Sequence, residues 1–242
     1  MRVLKISTKA MITAVLTPHP AIASAFASKL GLEKLPTVFG SVTEAYRKGN
    51  VVVAVSDSSD AVAEVKAEFL PERLYYASFG TSATSERYAG DVVLPNAFIP
   101  FSETGEDEEE AVFLENYEEQ EDYDFETFGL SIGGVCVSTG KELTEETLMK
   151  ISSEYGADLV DENGLKTVAA GFADDESVIY PIYGVADGIV GNDDEDVKEE
   201  AVAANMAAVF RFLEDSFESE GGDGDDDEGD DDEEVTLEKN DE

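Results

Sequence analysis

Apolar runs with strand character alternate along this chain with stretches of helical spacing. "MITAVLTP" (11–18) has the pattern of a buried strand stopped by Pro18, and "AIASAFASKLG" (21–31) follows as a helix ended by Gly31. Ala21, Ala25, Ser28 and Leu30 share one face of that helix. "NVVVAVSDSSD" (50–60) is Val-rich without alternation, as in a strand covered on both sides, and feeds a helix through Ala61, Val65 and Phe69 that ends at Pro71. "RLYYASFGTSAT" (73–84) reads as a strand opening into a small-residue loop, and "GDVVLPNAF" (90–98) as the next strand. "FGLSIGGVCVS" (128–138) is a strand with two glycines where bulk is a problem.

Helical spacing returns at Leu148, Ile151 and Tyr155 within 143–156. The short strand "ADLVDENG" (157–164) follows, and then Leu165, Val168, Ala169 and Phe172 at i, i+3, i+4 and i+7. This last spacing decides how "VDENG" is read. Asn163-Gly164 is a common hairpin turn, but a hairpin needs a second strand after it, and a helix is predicted instead. Asn163 is then either the helix N-cap or a ligand contact. "SVIYPIYGVADG" (177–188) is strand-like. Val197, Ala201, Ala204, Ala208, Val209, Phe212 and Leu213 predict a long amphipathic helix, with acidic "DDED" (193–196) suiting its N-terminus. Strands alternating with helices predict an α/β fold, a three-layer α/β/α sandwich around a mixed sheet. Residues 1–217 form one domain in this reading.

Charge changes the picture outside that domain. The 242 residues carry 56 acidic against 16 basic side chains, a net −40. Such a chain lacks the basic footprint for nucleic acid or an anionic membrane surface, and no stretch reaches the ~20 apolar residues of a membrane span. One cysteine, Cys136, excludes an internal disulfide and fits a reducing compartment; no signal-peptide pattern opens the chain, so a cytoplasmic protein is expected. The acid is concentrated in Glu103–Glu126, without a single basic residue, and in "GGDGDDDEGDDDEE". Residues 218–242 are expected to be a disordered tail, either solubilising, suited to high salt, or competing for basic partners.

Three segments carry candidate chemistry. "SFGTSAT" (78–84) offers small residues whose N–H and hydroxyl groups can cradle an anion. "VDENG" (160–164) sets three polar side chains at a strand end, and "YGVADG" (183–188) sets a carboxyl at another, either as a general acid or as an Asx-turn. In this order and spacing they resemble the nucleoside phosphorylase superfamily, which includes purine nucleoside and uridine phosphorylases and methylthioadenosine/S-adenosylhomocysteine nucleosidases. The resemblance spans nearly all of 10–217: "FGTSA" looks like the phosphate loop, "VDENG" like the ribose-clasping strand end, "VADG" like the strand ending in the catalytic aspartate, and "TPHP" like the first phosphate loop.

The resemblance implies cleavage of an N-glycosidic bond through an oxocarbenium-like state. Asp187 is the implied catalytic acid, hydrogen-bonding a purine N7. Asp161, Glu162 and Asn163, together with Val137, are the implied ribose- and base-binding residues. Gly80, Thr81, Ser82 and His19 are the implied phosphate- or anion-binding residues. No metal or cofactor is implied, with inorganic phosphate as a co-substrate, a nucleoside as the ligand, and a homo-oligomer, dimer or hexamer, as the assembly. The family's ribose glutamate falls on Asn163 and its phosphate arginines are replaced, one of them by Ser78. Binding of a nucleoside or base without turnover therefore stands beside catalysis, and a protein acting through its acidic tail stands as a third reading.

Overall fold

The computed structural model describes residues 11–84, 86–101, 110–114, 123–125, 128–140, 143–172, 178–188 and 198–220. The "DDED" segment, Val197, most of the Glu103–Glu126 block and the acidic tail beyond Glu220 lie outside them. In chain order the elements are β1 (Thr13–Thr17), α1 (Pro20–Leu30), β2 (Glu33–Lys34), β3 (Glu44–Lys48), β4 (Val51–Val55), α2 (Ala61–Phe69), β5 (Arg73–Ser82), β6 (Val92–Leu94) and β7 (Ala97–Pro100). Then come β8 (Val112–Phe113), β9 (Tyr123–Asp124), β10 (Gly129–Ile132), β11 (Val135–Ser138), α3 (Glu145–Tyr155), β12 (Leu159–Asp161), α4 (Gly164–Phe172), β13 (Val178–Gly188) and α5 (Glu199–Glu220).

The strands form one mixed sheet that branches at β5, ten residues long. The first half of β5 pairs in parallel with β1, Thr13 opposite Arg73 through Leu16 opposite Tyr76. Past that point β12 takes over the same edge antiparallel, Val160 opposite Thr81. On its other edge β13 follows β5 along its length in parallel, with a register shift between Val185 and Asp187. Alternation divides the valine runs between the two faces, as the pleat requires. Ala14, Leu16, Val52 and Ala54 meet Val62 and Val65 of α2 and Leu165 and Val168 of α4. Val15, Val53 and Val55 meet Ile22 and Phe26 of α1 and Val202, Met206 and Phe210 of α5. The architecture is the expected three-layer α/β/α sandwich, with α3 packed by Leu148 and Ile151 on Val137 and Val160.

Several local expectations change. The 90–98 run is two strands, and the 128–138 run breaks at Gly133 and Gly134, whose φ of 99° and 110° only glycine adopts readily. The 73–84 run stays a strand through Ser82 rather than opening into a loop. β2, β3, β8 and β9 were not legible, because they are short and exist through pairing, as Glu44–Lys48 does against Val51–Val55. Helix faces also rotate. α1 buries Ile22, Ala23, Phe26 and Ala27, not the Ala21/Ser28 face. α5 buries Val202, Ala203, Met206, Ala207, Val209, Phe210 and Leu213, leaving Ala201 and Ala204 exposed, while in α4 Ala169 is exposed and Thr167 buried. In alanine-rich helices the spacing fits two faces, and the bulkier Ile, Phe and Met decide which one is buried.

At the end of the sheet where β1 and β5 begin, Glu214 of α5 ties the helix to the strands. Its carboxylate accepts from Thr13 Oγ1 at 2.7 Å and Tyr75 OH at 2.8 Å, and pairs with Arg73 Nε at 3.2 Å. Both charged side chains are largely buried, so removing one strands the other in a dry site. Glu214→Ala is expected to destabilise the fold by about 2–4 kcal/mol, measured by urea denaturation.

Candidate functional site

The site is built at the carboxyl ends of β1, β4, β12 and β13 and along the second half of β5, the end of an α/β sheet where ligands bind. A cleft of about 390 Å³ opens there, within the about 300–1,000 Å³ of small-molecule sites. Pro18 and His19 line it from the segment after β1, and Ser56 and Asp57 from the segment after β4. Tyr76 and Ser78–Thr81 line it from β5, Asp161–Asn163 from the β12–α4 junction, and Ala186 from β13. Thr167 and Leu143 complete the wall.

Asp161 organises one side. Its carboxylate accepts hydrogen bonds from the hydroxyl of Ser138 at the end of β11, from Tyr183 OH of β13 at 2.6 Å, and from the Gly164 N–H opening α4 at 2.8 Å. Ser138 Oγ in turn accepts from the Leu165 N–H at 3.0 Å. Asp161 and Ser138 thus satisfy two free N–H groups of the α4 N-terminus, where a negative charge is favoured. Asn163 is not the capping group. Gly164 is glycine for a reason of space, since a Cβ there collides with the Asp161 carboxylate and the Tyr183 hydroxyl. Burial pushes the Asp161 pKa up, against the Ser138, Tyr183 and Gly164 hydrogen bonds that lower it. Asp161 therefore lines the cleft while its carboxylate is engaged by the scaffold, and the exposed Glu162 and Asn163 stand at the cleft rim. Backbone bonds from Thr139 N–H to Asp161 O at 2.9 Å and Gly140 N–H to Glu162 O at 2.7 Å hold this corner.

The opposite wall carries the chain's single histidine. His19 precedes α1, whose first residue, Pro20, needs no N–H partner, and its own N–H donates to Thr17 Oγ1 at 3.1 Å. Its ring lies on Phe79 at 4.8 Å, and Nε2 is 3.3 Å from Ser78 Oγ. Burial lowers the His19 pKa, partly offset by the negative charge of Glu199, so the ring is neutral at pH 7.

The cleft thus gathers His19, Gly80, Thr81, Asp161, Glu162 and Asn163 from the expected set. Ser82 is fully buried, its hydroxyl donating to Thr84 O at 2.8 Å, and Val137 is buried in the core; neither lines the cleft. Asp187 is exposed, directly after the lining Ala186 and in register with Thr81. Gly80–Ser82 is ladder-paired strand rather than an anion-cradling loop, with β13 on one side and β12 on the other at Thr81 and Ser82. Sequence reasoning missed Ser56, Asp57, Tyr76, Phe79 and Thr167. Only the "SDSSD" that ends the β4 run carried any signal, and no spacing in the sequence links these segments.

The fold is that of nucleosidases of the nucleoside phosphorylase superfamily. Helicobacter pylori 5′-methylthioadenosine/S-adenosylhomocysteine nucleosidase, in complex with butyl-thio-DADMe-Immucillin-A, superposes with a TM-score of 0.64 at 15% identity, over 86% of this chain and 100% of that one. Native futalosine hydrolase of Helicobacter pylori gives 0.63 at 15% identity, over 85% and 98%. The Arabidopsis thaliana 5′-methylthioadenosine nucleosidase gives 0.60 at 12% identity, over 85% and 95%. No protein-family model matches the sequence, and no curated protein sequence matches it. At this identity the likeness establishes the fold.

Asp161→Ala leaves two hydroxyls and the α4 N-terminus without their acceptor. A loss of about 2–4 kcal/mol in urea denaturation is expected, larger than for Asn163→Ala, which removes no cap.

Proposed function

We propose that the cleft binds a nucleoside and hydrolyses its N-glycosidic bond. The observation that carries this reading is the meeting of His19, Ser78–Thr81, Asp161–Asn163 and Ala186 around one cleft of nucleoside size, in the fold of nucleosidases. One similar Helicobacter pylori nucleosidase holds 5′-methylthioadenosine in its active site. Asp187, beside the cleft, is the group assigned to protonate the departing base, with a purine as the base that offers it a ring nitrogen. Glu162 and Asn163 are assigned to the ribose hydroxyls, for which an amide and a carboxylate are both suitable partners.

Water is favoured over phosphate as the nucleophile by electrostatics. Among the described residues no Lys or Arg lines the cleft, while Asp57, Asp161 and Glu162 do, and the His19 ring is neutral. A dianion entering such a site meets repulsion strengthened by burial. Binding without turnover is favoured by one specific feature. Asn163 has no charge to stabilise a cationic sugar, which a carboxylate would supply.

Calorimetry against adenosine, inosine, methylthioadenosine and uridine, with and without phosphate, tests the reading. Heat with a purine nucleoside and release of free base without phosphate are expected, and absence of heat with all four overturns it. Asp187→Asn is expected to slow base release by about 10²-fold or more with nucleoside still bound. Asn163→Glu is expected to raise turnover at least about tenfold, read from the same base-release assay.

A further inference from the structure

We infer that Ser78 and His19 form a proton relay that activates the attacking water in this cleft, an assignment that rests on the hydrolytic reading above. The two side chains come from elements 59 residues apart and meet at the cleft wall, Ser78 Oγ 3.3 Å from His19 Nε2. Both are held in place. Ser78 is 4% exposed on β5, and the His19 ring rests on Phe79 at 4.8 Å with its backbone set by Pro20 and the Thr17 hydroxyl. With Nδ1 carrying the ring proton, Nε2 accepts from the Ser78 hydroxyl, which otherwise turns to the Phe79 carbonyl at 3.3 Å. No other pair of cleft-lining side chains among the described residues joins a hydroxyl to a neutral imidazole, since this is the chain's one histidine.

A water bound at Ser78 Oγ gives that oxygen a proton while the Ser78 proton passes to Nε2. The water oxygen bonds to C1′ of the sugar, and the C1′–N bond breaks with its electron pair left on the base, which takes a proton from Asp187. Imidazolium and carboxylate then re-equilibrate with solvent. The surroundings suit both halves of the cycle. Burial keeps Nε2 free of a proton at rest, and the charged groups around the ring are acidic: Glu199 from α5, Asp57 from the segment after β4, and Asp161 and Glu162 across the cleft. The negative charge of Glu199 stabilises the imidazolium once it forms.

The test measures base release against pH, together with nucleoside affinity by calorimetry, for the full chain and for Ser78→Ala and His19→Gln. Each variant is expected to lose about 10²-fold or more in kcat while affinity changes by less than about threefold. The wild-type rate should fall on the acid side, below the ordinary histidine value of about 6.5, because protonating the ring removes the acceptor. That limb should vanish in His19→Gln, and added imidazole should restore part of the rate in His19→Ala. A His19→Gln protein with unchanged kcat and an unchanged acid limb overturns the relay alone. Loss of affinity with kcat retained also overturns it, because that marks a binding role. A wild-type chain that binds nucleoside yet releases no base at any pH overturns the hydrolytic reading and the relay with it. Should one variant fail to fold, the other still decides, since both belong to one relay.

Discussion

One buried carboxylate holds the working end of this molecule together. Asp161 takes hydrogen bonds from β11, β13 and the first turn of α4, and so joins three elements at the end of β12. Removing a charge from water costs several kcal/mol, and three donors aimed at it, with the helix N-terminus among them, offset that cost. The arrangement dictates its neighbours. Gly164 must lack a side chain, Tyr183 must keep its hydroxyl, and Glu162 and Asn163 are left at the rim, where a ligand can meet them.

The sheet supplies the rest of the frame. β5 is long enough to serve two partners on one edge in turn, β1 and then β12, and the change of partner at its midpoint opens the wall along which Ser78 to Thr81 face the cleft. β13 bridges both halves, carrying Tyr183 under the cleft and Asp187 to its rim. At the far end of β5, Glu214 closes α5 onto Arg73 and Tyr75. Two buried acids therefore tie opposite ends of the sheet, Glu214 at β1 and β5 and Asp161 at β11 and β13, and the apolar layers between them are set by the pleat.

The chemistry of the cleft follows from its charge. On the proposed hydrolytic reading, a cleft lined by acids and a neutral imidazole disfavours a phosphate dianion and suits a sugar that becomes cationic as its bond to the base breaks. Asn163 adds no charge to that environment, and Glu162 beside it is exposed.

The periodicity and valine runs by themselves determined the order of the main strands and helices, hence the layered α/β class, because two-sided burial and helical spacing are local properties of a chain. The helix after "VDENG" was legible in the same way, from Leu165 and Val168. Tertiary structure alone decided which face of α1 and α5 is buried, since alanines fit either and only contact with the sheet selects between them. It also decided that Asp161 rather than Asn163 caps α4, because the Ser138 and Tyr183 hydroxyls that complete the carboxylate's shell lie more than twenty residues away in either direction. The meeting of His19 with Ser78 was equally invisible: "TPHP" and "SFGT" each state a local backbone preference, and the distance between their side chains exists only once β1 and β5 pair.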